Sequence, residues 1–462
     1  VTAVAEPARV RVAPPDARAR FDTGVRTAAV VGLWASLVLV AYWWAAGGGL
    51  QALTGWTTGL TSTGRLTGLL ASDLLLVQVL LMARIPLLER AYGQDRLARV
   101  HRLVGFTSFN LMLAHIVLIT WGYAAGDLVR TPATFWELTT DYPGMLLALA
   151  GTVCLVLTVV TSIKAARRRI RYESWHLLHL YAYLGVGLAL PHQLWTGQDF
   201  LSSTAATVFW WTLWAASIGA VLVWRVGGPV ARNLRHRLRV TSVVPEADGV
   251  FSVYLTGRRL DLLPVEAGQF LGWRFLNRQG WTRGNPYSLS AAPDGKSLRI
   301  TVKALGDNSA KTPSLRLGTP VFFEGPYGRL TARARTRRKV ALIGAGVGIT
   351  PLRALAEGMT YAPGDAVVLH RFTEQPLFER EFDVLARERG LDLVWLPGHR
   401  RHDGSWLGTA VRGSEDLAAW VPDIADRDVY VCGPAPWTAA VTARALAAGV
   451  PAERLHVENF EW

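Results

Sequence analysis

Six stretches, near residues 27–47, 67–89, 103–123, 143–163, 177–195 and 205–226, are each about 20 residues long, apolar and poor in charge, which is the length a helix needs to cross a hydrocarbon core. Half of the 462 residues are hydrophobic, too many for an ordinary soluble protein of this size and enough for two or three domains. The sequence therefore predicts an all-α six-helix transmembrane bundle over 27–230, followed by a less apolar half.

Charge gives the bundle an orientation. Arginine and lysine cluster before the first span (Arg9, Arg11, Arg18, Arg20, Arg26), between the second and third (Arg90, Arg96, Arg99, Arg102), between the fourth and fifth (Lys164, Arg167, Arg168, Arg169, Arg171), and after the sixth (Arg225, Arg232, Arg235, Arg237). The alternate loops hold little beyond Arg65 and Arg130. By the positive-inside rule both termini lie in the cytoplasm of a multi-pass plasma-membrane protein. A net charge of +14 placed this way reflects topology rather than nucleic-acid binding. Trp43, Trp44, Trp121, Trp175, Trp195 and Trp224 fall near span ends, where amphipathic rings anchor at the interface. Residues 1–26, rich in Pro, Ala and Arg, have no apolar signal-peptide core and read as a disordered cytoplasmic tail. The only cysteines, Cys154 and Cys432, fall in different halves and form neither a disulfide nor a metal-ligand pair.

The third and fifth spans carry histidines. His101 and His115 are 14 residues apart, which is roughly 21 Å of helix rise and about 40° of rotation, so they share one face at two depths. His179 and His192 are 13 apart, roughly 20 Å of rise, matching both levels. Their ideal rotation differs by about 140°, so the match requires local distortion, for which Pro191 supplies a cause. Four imidazoles at two matched depths suit two stacked haems, each iron held by one nitrogen from each helix; His176 fits the spacing less well. Arg84, near the inner level, has either a haem propionate or the membrane surface as its partner. Asp73 belongs to a proton path or acceptor pocket, or makes a structural hydrogen bond.

Beyond Arg239 the pattern changes to short β-rich runs, VTSVVPEADGVFSVYLTG, AGQFLGWRF, SLRITVKAL and PVFFEGPYG, which predict an antiparallel β-barrel over 238–335. KVALIGAGVGITPLRALAEGM then reads as strand, glycine loop and helix, and further strands at AVVLHRF, LDLVWLP and DVYVCGP alternate with helical runs. Residues 336–462 are thus expected to form an open α/β, Rossmann-like sheet. In the loop, Gly344, Gly346 and Gly348 let backbone approach a pyrophosphate, with Thr350 and Pro351 opening a helix whose N-terminal amides face its charge.

In combination, Asn285-Pro286-Tyr287-Ser288-Leu289-Ser290, the GPYG at 325–328, the GAGVGITP loop, the CGP at 432–434 and the ending HVENFEW resemble a flavin-dependent ferredoxin reductase module. Joined to six helices with paired histidines, the chain resembles the NADPH oxidase and ferric reductase superfamily from about residue 27 onward. The resemblance implies FAD, two b-type haems and NADPH as cofactors. It implies Tyr287 stacked on the flavin and Ser288 near the atom that receives the hydride. Arg283, Asn285, Pro286, Lys303, Gly306 and Ser309 would complete the FAD contacts, and Phe460 or Trp462 would cover the ring. Asn285 stands where relatives carry histidine or arginine. Cys432, Gly433 and Pro434 would border the nicotinamide. Arg371 and Arg400, each following a strand, would pair with a 2′-phosphate.

The expected activity is that of an oxidoreductase passing electrons from cytosolic NADPH through FAD and two haems to dioxygen outside, giving superoxide. A ferric chelate or other acceptor is the alternative, and a non-catalytic membrane haem-binding protein is a second. Protein partners, unlike membrane lipid, leave no mark in the sequence.

Overall fold

A computed structural model describes residues 15–163, 172–197, 199–277, 284–306, 309–401 and 404–460. Residues 1–14 of the expected tail, the basic cluster at 164–171, Arg283 and Trp462 lie outside the described residues. The chain forms two compact units, Val1–Gly228 and Pro229–Trp462.

The first unit is helical: α1 Pro15–Trp44, α2 Trp56–Met82, α3 Pro86–Tyr92, α4 Gln94–Tyr123, α5 Thr131–Asp141, α6 Met145–Ser162, α7 Tyr172–Trp195 and α8 Thr204–Ala220. Residues 15–26, expected within an unstructured tail, are instead the first turns of α1 and are held there by side-chain contacts. Asp22 pairs with Arg90 at 3.1 Å, and Arg26 donates to the Ala91 carbonyl at 2.7 Å. Among the described residues, five helical runs are long and apolar enough to cross a membrane: Arg20–Gly49, Trp56–Met82, Arg96–Tyr123, Met145–Ser162 and Thr204–His236. α7 occupies the place of the expected fifth span and runs unbroken through Pro191, with His176, His179, His192 and Gln193 diluting its apolar residues.

α2 starts well before the apolar window because Thr58 and Thr61 return their hydroxyls to nearby backbone carbonyls, so polar residues sit in the helix without unpaired groups. Trp44, expected at the interface, is buried and donates to the Ser62 carbonyl at 3.0 Å. Small residues set the helix contacts, as in bilayers where close backbone approach replaces a hydrophobic drive. A Cβ on Gly64 would lie 2.9 Å from Ile119 Cγ1, so α2 and α4 meet there. α6 and α7 cross where Gly151 and Gly185 face each other, each without room for a methyl before the other's carbonyl oxygen.

The second unit begins with the helix α9 Gly228–His236 and contains a β-lobe and an α/β-lobe. The β-lobe strands are β1 Arg239–Ala247, β2 Val250–Thr256, β3 Phe270–Phe275, β4 Asn285–Ser288, β5 Ser297–Lys303 and β6 Val321–Tyr327. The expected barrel resolves into two three-stranded antiparallel sheets, ordered β1-β2-β5 and β4-β3-β6, with isolated bridges Arg239↔Pro320 and Leu289↔Ile300 linking their strands. Their inward residues, including Leu271, Trp273, Ile300 and Phe323, form one buried core.

The α/β-lobe is a five-stranded parallel sheet built from β7 Val340–Ala345, β8 Ala366–Phe372, β9 Asp392–Pro397, β10 Asp428–Gly433 and β11 Leu455–Asn459, in the order β11-β10-β7-β8-β9. The helices are α10 Ile349–Gly358, α11 Glu379–Arg389 and α12 Ala435–Ala447, with an apolar core on each face of the sheet. Strand order reverses direction between β7 and β10, the position where open α/β sheets bind ligands.

Buried ion pairs join the lobes. Arg299 of β5 makes two bonds to Glu381 of α11, at 2.7 and 2.9 Å, and Arg353 of α10 reaches the same carboxylate at 2.5 Å. At the foot of β10, the fully buried Asp428 accepts from His456 Nε2 at 3.0 Å and from the Thr336 and Arg337 amides at 2.7 and 2.5 Å. Burial alone would raise this carboxyl, but those bonds outweigh it and hold it below the ordinary value of 3.8. Its contribution to stability is complete above the unfolded value and is lost as pH falls through the depressed one. Asp428→Asn is expected to lower the unfolding free energy of this unit by about 1–3 kcal/mol at neutral pH. In denaturant melts of the full chain, the deficit should shrink as the wild type is acidified; a pH-independent deficit would contradict the carboxylate's role.

Candidate functional site

In the first unit, each of the four paired histidines has one ring nitrogen committed. Nδ1 of His101 meets the Gln78 carbonyl at 3.3 Å, that of His115 the Gly64 carbonyl at 2.8 Å, and that of His192 the Ala189 carbonyl at 2.6 Å. A carbonyl only accepts, so Nδ1 carries the proton in all three. His179 Nδ1 meets Ser162 Oγ at 3.3 Å. That hydroxyl already donates to Thr158 O and accepts from the Trp175 indole, so it accepts from His179 as well. Nε2 is left with its lone pair and no hydrogen bond among the described residues, the state of a metal-ligating imidazole.

The pairs also meet in space. The His101 and His179 ring centroids are 6.1 Å apart with planes at 63°; two imidazoles sharing one metal at about 2 Å from each Nε2 put their centroids roughly 6 Å apart. His192 lies within electrostatic range of His115. Gly68 makes room for His115, since a Cβ there would stand 2.5 Å from its Nδ1. Arg84 is engaged by Glu89 at 2.7 Å. Asp73, buried, accepts from the Ser36 hydroxyl at 2.9 Å.

In the second unit, β4 carries Asn285, Pro286, Tyr287 and Ser288 beside β3, with Ser288 opposite Phe270. Tyr287 is pushed up to about 12 by burial, so its phenol is neutral at physiological pH. Ser288 is 4% exposed and its Oγ has no hydrogen-bond partner among the described residues. A buried hydroxyl left unpaired costs free energy and marks a place where a bound group completes the bonding. Lys303 ends β5, exposed, and Ser309 Oγ accepts from the Leu305 and Gly306 amides at 3.0 and 3.1 Å, shaping the turn beside it.

The glycine loop leaves β7 at the strand-order reversal. Gly346 takes φ +54°, and Gly346–Gly348 make a 3₁₀ turn that runs into α10 at Ile349. A Cβ on Gly344 would touch Ile349 and Leu352 at 3.0 Å, and one on Gly348 would overlap the Cys432 carbonyl. Thr350 is buried and bonds back to the Val347 carbonyl at 2.9 Å; Pro351 is also buried, in the first turn where its missing N–H costs nothing. Cys432 pairs in register with Gly344 on one side and Glu458 on the other. Burial, reinforced by Glu458, raises its thiol, which stays protonated. Gly433 has Trp437 against its Cα, Pro434 caps α12, and the Phe460 amide donates to the Gly433 carbonyl at 3.0 Å. Phe270, opposite Ser288, packs against Gly328, and a Cβ there would lie 3.6 Å from Glu458 Oε2. The β-lobe thus meets the α/β-lobe where Gly328 and Phe270, the register partner of Ser288, approach Glu458, the register partner of Cys432.

Arg371 ends β8 one strand from the loop. Its Nε is buried without a hydrogen bond, and burial and then the neighbouring Arg400 lower it. Among the described residues neither guanidinium pairs with a carboxylate, an arrangement that suits an anion.

Residues 67–190 match the family described as ferric reductase like transmembrane component, and residues 342–443 match the oxidoreductase NAD-binding domain. The chain is a fusion of a ferric reductase like transmembrane region with an oxidoreductase NAD-binding region. Among curated proteins, its second half is similar to flavohemoproteins of Xylella fastidiosa (27% identical over 240 residues) and Pseudomonas aeruginosa (31% over 240 residues), each alignment covering 49% of this chain and 58% of the relative. It is also similar to the reductase subunit of a stachydrine N-demethylase from Rhizobium meliloti, 30% identical over 237 residues, covering 48% of this chain and 66% of that protein. The fusion thus spans less than two thirds of the relatives it matches. Among solved structures, the FAD/NAD-binding domain of a nitric oxide dioxygenase from Vibrio cholerae is 26% identical, with 49% of this chain and 99% of that one covered and a TM-score of 0.42.

Two features of the fusion were not anticipated from its sequence. Glu458 is a candidate only because parallel register sets it beside Cys432. The histidine acceptors Gln78, Gly64 and Ala189 act through backbone carbonyls, which have no letter in a sequence. For the glycine loop, Gly348→Ala is expected to weaken NAD(P)H binding roughly tenfold or more, the scale of a 1–3 kcal/mol overpacking strain. Titration of the purified fusion with NAD(P)H tests this, and unchanged affinity would contradict the close packing.

Proposed function

We propose that the fusion moves electrons from cytosolic NADPH, by way of FAD and two bis-histidine haems, to dioxygen on the outer side of the plasma membrane, releasing superoxide. The observation that carries the proposal is the set of four imidazoles with Nδ1 committed to oxygen acceptors and Nε2 bare, paired as His101 with His179 and His115 with His192. In this reading α7 completes six crossings and both termini are cytoplasmic.

FAD, when bound, would supply hydride acceptance and single-electron release, and haems that His101, His179, His115 and His192 would hold would supply one-electron transfer. The chain supplies placement. The glycine-loop amides and the start of α10 receive the dinucleotide pyrophosphate, and Arg371 and Arg400 take the 2′-phosphate. Cys432, kept as a neutral thiol, borders the nicotinamide without adding charge at the transfer point, and Glu458 stands beside it in register on β11. Tyr287 supplies an apolar face for the flavin, and the unpaired Ser288 hydroxyl bonds to its edge. Asn285, Pro286, Lys303, Gly306 and Ser309 line the rest of the FAD contact, and Phe460 covers the ring. Arg84 is already compensated by Glu89 and is given no haem contact.

A ferric chelate as outer acceptor is the second reading, favoured by the ferric-reductase-like match over residues 67–190. Anaerobic reduction by NADPH followed by air separates the two. Superoxide in stoichiometric yield supports dioxygen, whereas faster anaerobic reduction of a ferric chelate with little superoxide supports iron.

His115→Ala and His192→Ala are each expected to halve the haem content while NADPH oxidation by a soluble acceptor persists; unchanged haem in both variants would reject the pairing. Arg371→Ala should raise KM for NADPH about tenfold to a hundredfold, the scale of one charge-assisted bond, and leave NADH unaffected. Equal losses with both dinucleotides would remove the 2′-phosphate assignment.

A further inference from the structure

The helix α9 and the β-lobe edge next to it carry a surface that the proposed electron path does not use. One face of α9 is fixed to the lobe. Asn233 Nδ2 donates to the Phe323 carbonyl at 2.7 Å, the Phe323 amide returns a bond to Asn233 Oδ1 at 2.9 Å, and His236 Nδ1 meets the Arg258 carbonyl at 3.0 Å. The adjoining face leaves Val230 44% and Leu234 64% exposed, one helical turn apart.

Arginines gather around this face. Arg235 and Arg237 end α9, Arg239 opens β1, Arg258 and Arg259 follow β2, and Arg316 precedes Leu317, which is 69% exposed. The Arg258 amide bonds to the His236 carbonyl, Arg239 Nη1 donates to the Gly318 carbonyl at 2.8 Å, and Arg239 pairs in register with Thr256, so the three segments form one edge. All six arginines are exposed. Among the described residues none of them pairs with a carboxylate, and 228–239, 256–260 and 314–320 contain no acidic residue; Asp261 flanks the patch. The helical run Thr204–His236, long and apolar enough to cross a membrane, leads straight into it.

We propose that this edge is a docking surface for an anionic lipid bilayer, seating the β-lobe on the headgroups of the leaflet from which the Thr204–His236 run emerges. Exposed leucine and valine beside unpaired arginines are what an interfacial element needs, apolar groups to enter the headgroup boundary and cations to meet phosphate. Chain continuity supplies the proximity, since Leu234 and Arg235 follow the last apolar window by about ten residues, roughly 15 Å of helix. An acidic soluble protein would satisfy the arginines but leave the apolar stripe without its counterpart. The proposal rests on the reading of 204–236 as a membrane crossing.

The test uses the full chain in nanodiscs of phosphatidylcholine alone or mixed with phosphatidylglycerol. Hydrogen exchange of the unmodified chain should show 256–259 and 316–320 protected severalfold more in the anionic discs, with protection lost at high salt. Combined Arg258→Gln, Arg259→Gln and Arg316→Gln should abolish the difference while β1 and β5 keep their own protection. Equal exchange in both discs at low salt would overturn the proposal, as would protection that appears only on adding an acidic polypeptide. Failure to enter either disc would overturn the membrane crossing and this proposal with it.

Discussion

A neutral imidazole inside an apolar bundle has to satisfy one nitrogen locally if the other is to be offered to anything else, and the first unit is organised around that requirement. α2 supplies the acceptors for both histidines of α4, at Gly64 and Gln78. It can do so only because it lies close enough to α4 for Gly64 and Gly68 to be mandatory. On α7 the acceptors come from its own Ala189 carbonyl and from Ser162 at the end of α6. Helix spacing, tautomer and the direction of each lone pair are therefore one property of the bundle rather than three.

The second unit solves a different problem, bringing two bound groups to one junction. Its parallel sheet reverses strand order between β7 and β10, which opens a crevice at the carboxyl ends of the strands. Gly344 pairs with Cys432, and Gly348 holds the loop so close to the Cys432 carbonyl that no methyl fits between them. The ion network of Arg299, Glu381 and Arg353 ties β5 to α10 and α11. Buried charges of this kind are costly to break once one partner is removed, so the two lobes keep their mutual placement.

Much of this was legible as pattern. Apolar windows located the long helices, and the nearness of His101 to His179 and of His115 to His192 agrees with their spacing. The period-two runs and the glycine loop located the strands and the dinucleotide site. What escaped was whatever depends on partners distant in sequence. The start of α2 was hidden because Thr58 and Thr61 look polar as letters but are self-satisfied in a helix. α7 continues through Pro191 without a break, so whatever turn the proline introduces does not end the helix. Arg84 looked available for a haem propionate until the chain folded Glu89 onto it. Four β-rich runs did not say that their strands divide into two sheets, because register is set by side chains meeting across the core.

The contact of Gly151 with Gly185 has a mechanical meaning. It lies 185 − 179 = 6 residues from His179 and 192 − 185 = 7 from His192, or about 9 and 10 Å along α7. The crossing is thus the fulcrum of a lever with nearly equal arms. Any rocking of α7 about it displaces its two histidines by similar amounts in opposite directions, so a tilt that improves one level spoils the other. The two levels can be optimal together at only one helix angle.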